Sequence, residues 1–274
     1  MSPSWRERVV IGLAPERLSA LLLGPGWRPH ALGRGWRPRL LDRHALPLLG
    51  QETGEWHKGL EALATLLDEP GWHGRDIAVV LSGHYVRHAI FPASTGLSDK
   101  ERQALAELVF HNTFGDLARE WELRISPAGK GQQTLACGVP RALLGAIKTV
   151  CAGRGRLSSL RPGLMPVFNR IRRDIGQSVG CLAMVEAGRT TLAFFELGQW
   201  KYVDSRAGNS QSLPLLLLEE AELSARQPGG ILWLCDLTAA ASLPDDTFWT
   251  HRQVAPPDLA GVHDQDNLAV WGMA

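Results

Sequence analysis

The chain has 274 residues, of which 45% are hydrophobic and 21% charged, and its formal net charge is +1. This composition is typical of a folded globular protein, and the near-zero net charge predicts no strong overall attraction to a polyanion. Apolar runs such as Leu213–Leu218 are far too short to cross a bilayer, and the residues before Val9 lack the apolar stretch of a signal peptide.

The four cysteines form no C-x-x-C pair; they are Cys137, Cys151, Cys181 and Cys235. Isolated cysteines of this kind predict small buried thiols in a reducing compartment, and they argue against zinc sites and disulfides. We therefore expect a cytoplasmic protein.

A strand–turn–strand pattern occurs twice, at an offset of 174 that places Val10 opposite Met184 and, after an insertion, Trp36 opposite Trp200. Each copy leads into a third strand, a helix and a strand. These elements are predicted at Arg37–Leu41, Glu52–Asp68 and Asp76–Leu81 in the first half, and at Lys201–Asp204, Ser212–Ala225 and Ile231–Cys235 in the second. The duplication predicts an α/β protein with the duplicated actin-like (ribonuclease-H-like) ATPase fold, made of two lobes.

An inserted α/β module is predicted at about residues 84–139. Tyr85–Phe91 is expected to pair with Asp76–Leu81 across a turn at Ser82-Gly83-His84, and Ser98 is expected to cap a helix together with Glu101. Further strands are predicted at Glu120–Ile125, Thr134–Gly138 and Leu157–Leu160, and further helices from Pro140 and over Gly163–Ile171. The first lobe would then span residues 1–176, including the module, and the second lobe residues 177–274.

Several segments, taken in their order, resemble one known family. They are Val9–Leu23, Phe91-Pro92 with Ser98–Glu101, Arg161–Asn169, Val185–Gly198 and Asp266–Gly272. The chain resembles the PilM-type actin-like pilus assembly proteins, with the related GspL cytoplasmic domain and the MshI-type proteins. The resemblance implies a cytoplasmic scaffold of type IV pilus or type II secretion machinery that binds a short cytosolic segment of a membrane-anchored partner.

The same resemblance implies a nucleotide site at the two hairpin turns, where actin-like ATPases offer backbone N–H groups to phosphates and a strand-end acid to Mg²⁺. The first copy has Gly12 at the acid position, and Pro15 has no N–H to donate. The second copy keeps Glu186, and its turn offers Gly188, Arg189 and Thr190 to an anion. The glycine pair Gly229-Gly230 precedes its strand, whereas the family's adenosine-binding pair follows it.

We therefore expect a degenerate nucleotide site with no catalytic residue, no metal and no cofactor. Glu186 would then be a solvated acid at a strand end, and binding of ATP with Mg²⁺ is the alternative.

The leading functional hypothesis is a non-catalytic scaffold that binds the cytosolic tail of a single-span inner-membrane pilus or secretion protein. The partner-binding surface is expected on the inserted module, with Phe91, Pro92, Phe110 and Phe114 as candidate anchors; the alternative is that these side chains belong to a core. The competing hypothesis is an ATP-dependent kinase or ATPase of the same fold.

Two stretches are rich in arginine. Residues 26–43 contain Gly-Trp-Arg-Pro twice, and residues 151–173 contain six arginines and no acid, namely Arg154, Arg156, Arg161, Arg170, Arg172 and Arg173. Solvated loops are the simplest explanation. The arginines could also attract the partner's tail or anionic lipid, with recruitment of the chain to the inner membrane. A third hypothesis is nucleic-acid binding through arginine and tryptophan, which predicts a steep dependence on salt.

Overall fold

The computed structural model describes residues 7–25, 27–30, 33–36, 38–48, 55–92, 96–126, 132–176, 178–208, 211–223, 230–238, 249–257 and 268–273. The strands are β1 Arg8–Leu13, β2 Arg17–Gly24, β3 Trp27–His30, β4 Gly33–Trp36, β5 Arg39–Pro47, β6 Arg75–Leu81, β7 Arg87–Pro92, β8 Trp121–Ile125, β9 Gln133–Pro140, β10 Gly155–Pro162, β11 Gly180–Glu186, β12 Arg189–Glu196, β13 Gln199–Ala207, β14 Gly230–Asp236 and β15 Trp249–Gln253.

The helices are α1 His57–Asp68, α2 Asp99–Phe114, α3 Arg141–Cys151, α4 Leu164–Ile175, α5 Leu213–Leu223 and α6 Leu268–Trp271, and a 3-10 helix covers Gly115–Glu120. Within the described ranges no helix is long and apolar enough to span a membrane. A few predicted positions lie outside these ranges, namely Arg37, Glu52, Ala225, Gly229 and Asp266-Asn267.

The chain divides into two compact units. Unit 1 comprises residues 1–84, 143–166 and 256–274, and unit 2 comprises residues 85–142 and 167–255. These units differ from the predicted lobes, which were residues 1–176 with the inserted module and residues 177–274. The structure divides the chain differently because β7 and β9 of the module lie against β13, whereas α6 packs on β1 and β2.

Unit 1 is built on a five-stranded sheet of order β10-β6-β1-β2-β5. Its central strands are parallel (β1 with β6, β6 with β10), and β1 and β2 form an antiparallel hairpin. Apart from their first residues, β1 and β2 are buried along their whole length, which is why they read as continuous apolar runs. Helix α1 buries Leu60, Leu63 and Leu67, whose three- and four-residue spacing places them on one face of the helix.

The short helix α6 packs against the hairpin of unit 1. Gly12 makes this packing possible, because a Cβ placed on it would lie 2.6 Å from the Ala269 nitrogen and 2.8 Å from Cβ of Leu268. The Ser19 hydroxyl accepts a hydrogen bond from the Ala269 N–H at 3.2 Å and donates one to the Gly12 carbonyl at 3.5 Å. Gly12 is therefore a position of close packing inside unit 1.

Unit 2 contains a second five-stranded sheet, of order β13-β12-β11-β14-β15. With β11, β12, β13, β14 and β15 in the places of β1, β2, β5, β6 and β10, the two sheets have the same order and the same pattern of parallel and antiparallel pairs. The predicted duplication is confirmed and extends to a fifth strand. Helix α5 packs Leu213, Leu216 and Leu217 on one face of this sheet.

The third strand of the first half begins later than predicted. Trp36 lies in β4, which pairs only with β3, and the strand equivalent to β13 is β5. Leu23 pairs with Leu40 as Phe195 pairs with Trp200, so Trp200 corresponds to Leu40. The first half has residues 25–38 where the second has only Leu197-Gly198, and this insertion carries the β3–β4 hairpin.

The module in unit 2 is a three-stranded sheet of order β7-β9-β8 with α2 packed on one face. The predicted pairing of Tyr85–Phe91 with Asp76–Leu81 is wrong. Both edges of β6 are already occupied, by β1 and β10, so β7 pairs with β9 instead. The predicted cap of α2 is confirmed: the Glu101 N–H donates to the Ser98 hydroxyl at 3.3 Å, and the Ser98 N–H donates to the Glu101 carboxylate at 2.8 Å.

Replacing Gly12 by alanine should destabilise unit 1 by about 2 kcal/mol or more, because the new methyl group overlaps backbone atoms of α6 that cannot rotate away. The matched control is Gly145→Ala in α3, where an added Cβ meets no atom within 4 Å. That change should be neutral or stabilise by about 0.5–1 kcal/mol, since glycine weakens a helix. Urea unfolding followed by circular dichroism compares the two variants; equal effects would contradict the role given to Gly12.

Candidate functional site

The first hairpin closes with a two-residue turn, Pro15-Glu16. The Ala14 N–H donates to the Arg17 carbonyl at 3.1 Å, and the Arg17 N–H donates to the Ala14 carbonyl at 3.4 Å. Pro15 contributes no N–H to this turn, and the carbonyl of Glu16 is taken by the N–H of Leu48 at 2.8 Å.

The second hairpin also closes with a two-residue turn, Ala187-Gly188. Glu186 pairs with Arg189, and Gly188 has a positive φ of 72°, which glycine adopts without strain. A Cβ on Gly188 would meet no atom within 4 Å, so the positive φ alone explains why glycine occupies this position.

The hydrogen bonds at the two hairpin turns show which residues of the two halves are equivalent. They correct the offset of 174, from which Gly12 was predicted to be the equivalent of Glu186. Ala14 and Arg17 close the first turn as Glu186 and Arg189 close the second, an offset of 172 in place of 174. The β-bulges agree, because one falls between Leu22 and Leu23 and the other between Phe194 and Phe195. The residue equivalent to Glu186 is therefore Ala14, not Gly12. Ala14 lies two residues after Gly12 and, like Gly12, has no carboxylate.

Glu186 is only 3% exposed, so it is not the solvated strand-end acid considered from the sequence. It ends β11, and Asp236 ends the neighbouring parallel strand β14, next to Val185 in register. The Asp236 carboxylate accepts hydrogen bonds from the N–H and hydroxyl of Thr238, at 2.8 and 2.6 Å. Burial, together with Glu186 and Asp236, raises the pKa of the Cys235 thiol well above its ordinary value, so this cysteine is a poor nucleophile.

The side chains of Arg189 and Thr190 form hydrogen bonds within unit 2. The Arg189 guanidinium donates to the carbonyl and hydroxyl of Ser205, at 3.1 and 3.4 Å, and burial lowers its pKa while Glu186 and Asp204 oppose that shift. Thr190 is fully buried, and its hydroxyl donates to the Gly208 carbonyl at 3.4 Å. Both predicted anion-binding side chains, Arg189 and Thr190, are thus hydrogen-bonded within unit 2.

The two hairpins differ in what they offer to ATP with Mg²⁺, which needs oxygen ligands and N–H donors. At the strand-end position the first hairpin has the methyl group of Ala14 where the second has the carboxylate of Glu186, and Pro15 has no N–H. Among the described residues no group of three or more His, Cys, Asp or Glu side chains could hold a metal ion.

Comparison with solved structures then places the fold. The chain is similar to the PilM-PilN type IV pilus biogenesis complex, with a TM-score of 0.65, 13% identity and coverage of 91% of this chain and 88% of that one. It is also similar to the cytoplasmic domain of EpsL, an inner membrane component of the type II secretion system of Vibrio cholerae, with a TM-score of 0.55, 12% identity and coverage of 97% and 94%.

A Bacteroides thetaiotaomicron protein with an actin-like ATPase fold has a TM-score of 0.57, 12% identity and coverage of 89% and 87%. The chain has the actin-like fold. No protein-family model and no curated protein sequence matches it.

The structure removes two of the four candidate partner anchors from the surface of this actin-like protein. Phe91 is 3% exposed and Phe110 fully buried, and both belong to the core under α2. Phe114 is half-buried and packs on Phe110, with ring centroids 5.4 Å apart, while Pro92 is exposed at the end of β7. The exposed apolar side chains of the module are instead Leu108 and Leu117, at 55% and 67%. Neither was predicted as an anchor, because an apolar residue in a helical pattern is expected to be buried.

Five of the six arginines in residues 151–173 fall into two groups. Arg154 forms a bidentate ion pair with Asp68, at 2.8 and 3.0 Å, and Arg156 forms one with Asp76, at 2.8 Å for both bonds. Because Asp68 and Asp76 lie far from these arginines in sequence, residues 151–173 looked like a stretch of positive charge without acidic partners. In contrast, the side chains of Arg170, Arg172 and Arg173 on α4 have no ion-pair or hydrogen-bond partner among the described residues.

Acid should destabilise unit 2 through His88, whose two ring nitrogens lack hydrogen-bond partners in the described part of the chain. Burial and the nearby Arg87 lower the pKa of His88 to about 4, against an ordinary value of 6.5. Between these two values the unfolded chain binds a proton that the folded chain does not, so stability falls as the pH falls. The loss from pH 7 to pH 5 should be about 2 kcal/mol.

Urea unfolding at both pH values measures this loss. His88→Leu should remove most of it, whereas His73→Gln, which changes an exposed histidine, should leave it unchanged. A His88→Leu protein with the wild-type pH dependence would show that another group is responsible.

Proposed function

We propose that this protein is a non-catalytic cytoplasmic scaffold in a type IV pilus or type II secretion-like assembly, and that it binds a cytosolic segment of an inner-membrane partner. The observation that carries the proposal is the asymmetry of the two hairpins. An actin-like ATPase needs both turns, and here Ala14 and Pro15 stand where Glu186 and Ala187 stand in the second.

The likeness to the PilM-PilN complex and to the EpsL cytoplasmic domain supports an assembly role over nearly the whole chain. In the first case the solved structure is itself a complex with a second protein of the pilus machinery. A scaffold needs a stable fold and an accessible surface, and it needs no turnover.

The partner surface that we propose is the outer side of the module. Helix α2 buries Ala106 and Phe110 fully and packs Leu105, Val109 and Phe114 against the same core, so its other side faces away from the module core. Leu108 on this helix and Leu117 in the following 3-10 helix are exposed, and Phe114 between them is half-buried. Exposed leucines such as these two are suited to contact with an apolar segment of a partner.

Isothermal calorimetry with ATP and Mg²⁺ should give no saturable heat, because Ala14 puts no carboxylate at the position equivalent to Glu186 and Pro15 removes an N–H donor from the first turn. Near-UV circular dichroism of the same sample establishes that it is folded. Saturable micromolar binding would contradict a degenerate site and favour the competing ATPase or kinase. Glu186→Gln would then test whether the second hairpin holds the nucleotide, and a hydrolysis assay would test for an enzyme.

The double variant Leu108→Asp/Leu117→Asp should bind the partner at least about tenfold more weakly, since two exposed apolar contacts are lost. The measurement is fluorescence polarisation with labelled peptides covering the cytosolic N-termini of single-span inner-membrane pilus and secretion proteins from the same genome. Leu215→Asp, on α5 and 64% exposed, is the matched control and should bind normally. Equal binding by all three proteins would place the partner surface elsewhere.

A further inference from the structure

The turn between β12 and β13 exposes a leucine in a backbone conformation that leucine rarely adopts. Glu196 pairs with Gln199, so Leu197 and Gly198 form a two-residue turn, and their φ values are 52° and 71°. Two positive φ values define a type I′ hairpin turn, for which asparagine, aspartate and glycine are preferred. The Leu197 side chain is 59% exposed, so its contacts inside this chain do not explain why leucine stands there.

Other apolar side chains adjoin this turn. Val179, which precedes β11 at the same end of the sheet, is 52% exposed. Trp200 follows the turn and is half-buried, with its ring 4.3 Å from that of Phe168 on α4 and 4.7 Å from that of Phe195. The rings thus hold Trp200 and Phe168 in place while leaving part of each accessible.

The end of α4 carries the charge beside these apolar groups. A Cβ on Gly198 would lie 3.1 Å from the Gly176 carbonyl oxygen, so the turn touches the end of α4. Arg172 lies one helical turn after Phe168 and therefore on the same side of α4, and Arg173 follows it. Both are exposed, and neither side chain has a partner among the described residues.

Two acids lie close to these arginines. Glu196 is neutralised by Lys201, with an N–O distance of 3.1 Å, and Asp174 follows Arg173 on the helix. With Arg170 also on α4, the local charge remains positive, although the whole chain is nearly neutral. The turn face, defined as Phe168, Arg172, Arg173, Val179, Leu197 and Trp200, therefore combines exposed apolar groups with unpaired guanidinium groups.

We propose that the turn face binds the surface of an anionic lipid bilayer. Leucine and tryptophan at an exposed turn can enter the interfacial region, while the adjacent arginines reach lipid phosphates at the level of the headgroups. A bilayer is the occupant that this composition favours, because exposed apolar side chains beside unpaired guanidinium groups match the apolar and the anionic layers of a membrane surface. The inference does not depend on the proposed function, since it concerns lipid and not the protein partner.

Vesicle co-sedimentation of the full chain tests the proposal. The protein should sediment with vesicles containing phosphatidylglycerol at about 0.1 M salt and much less at about 0.5 M, where the Debye length is shorter. It should sediment weakly with pure phosphatidylcholine vesicles. Arg172→Gln and Arg173→Gln should each lower the partition coefficient about fivefold.

Leu197→Asn is the sharpest variant, because asparagine suits the left-handed turn and so preserves or improves folding. It should lower the partition coefficient roughly fivefold through the lost apolar contact. The matched control is Leu117→Asn, which changes an equally exposed leucine on the module and should leave vesicle binding unchanged. The same control should weaken binding of the partner peptide, so failure of either proposal can be recognised separately.

Absence of sedimentation with phosphatidylglycerol vesicles at low salt would overturn the proposal, and so would equal binding by wild type and the turn-face variants. Soluble polyglutamate tests whether the turn face binds an acidic protein segment instead of lipid. If it binds with the same sensitivity to Arg172→Gln and Leu197→Asn and displaces the vesicles, the face serves an acidic protein segment and the lipid assignment is wrong.

Discussion

The register of the two central hairpins is the constraint on which the rest of this structure depends. In unit 1 the Leu13 carbonyl accepts the Ser82 N–H at 2.9 Å, and in unit 2 the Val185 carbonyl accepts the Leu237 N–H at 2.8 Å. Buried strands leave no backbone group free, so these bonds fix where each strand ends and which residues form each turn. The architecture is thus duplicated faithfully, while the chemistry at the turns depends on single side chains. Ala14 and Glu186 occupy equivalent backbone positions, and only one of them carries a charge.

The duplication could be read from the sequence, but its register could not. Apolar residues in a strand repeat with a period of two, so an alignment shifted by two residues places the same faces together and scores almost as well. The offset of 174 matched Ile11 with Val185 on this basis. What distinguishes 172 is the hydrogen bonding at the turn and the bulge at Leu22/Leu23 and Phe194/Phe195, neither of which has a compositional signal. Gly12 consequently looked like a lost acid, whereas its close contact with α6 explains the glycine.

Local signals predicted the helices well and long-range pairing poorly. The Ser98–Glu101 capping box located the start of α2 because both of its hydrogen bonds are made within four residues. Local signals of this kind could not predict which strand pairs with β7. Ser82-Gly83-His84 has the composition of a hairpin turn, yet the preceding strand β6 already has β1 and β10 on its two edges. A strand between two parallel neighbours cannot accept a third, and this fact depends on residues 155–162, far along the chain.

The distribution of surface charge, like the pairing of strands, depends on contacts between residues that are distant in sequence. Arginines that look unopposed in residues 151–173 are divided by the fold, because β10 runs beside β6 and brings Arg156 to Asp76, while Arg154 reaches Asp68 at the end of α1. In a bidentate pair of this kind the carboxylate neutralises the guanidinium charge and occupies two of its N–H donors, so the pair attracts an anionic ligand only weakly. On α4 none of Arg170, Arg172 and Arg173 forms an ion pair within the described residues, so their charge remains available at the surface. A net charge of +1 therefore conceals a strongly uneven distribution, and the topology of the sheet decides which basic groups can act on another molecule.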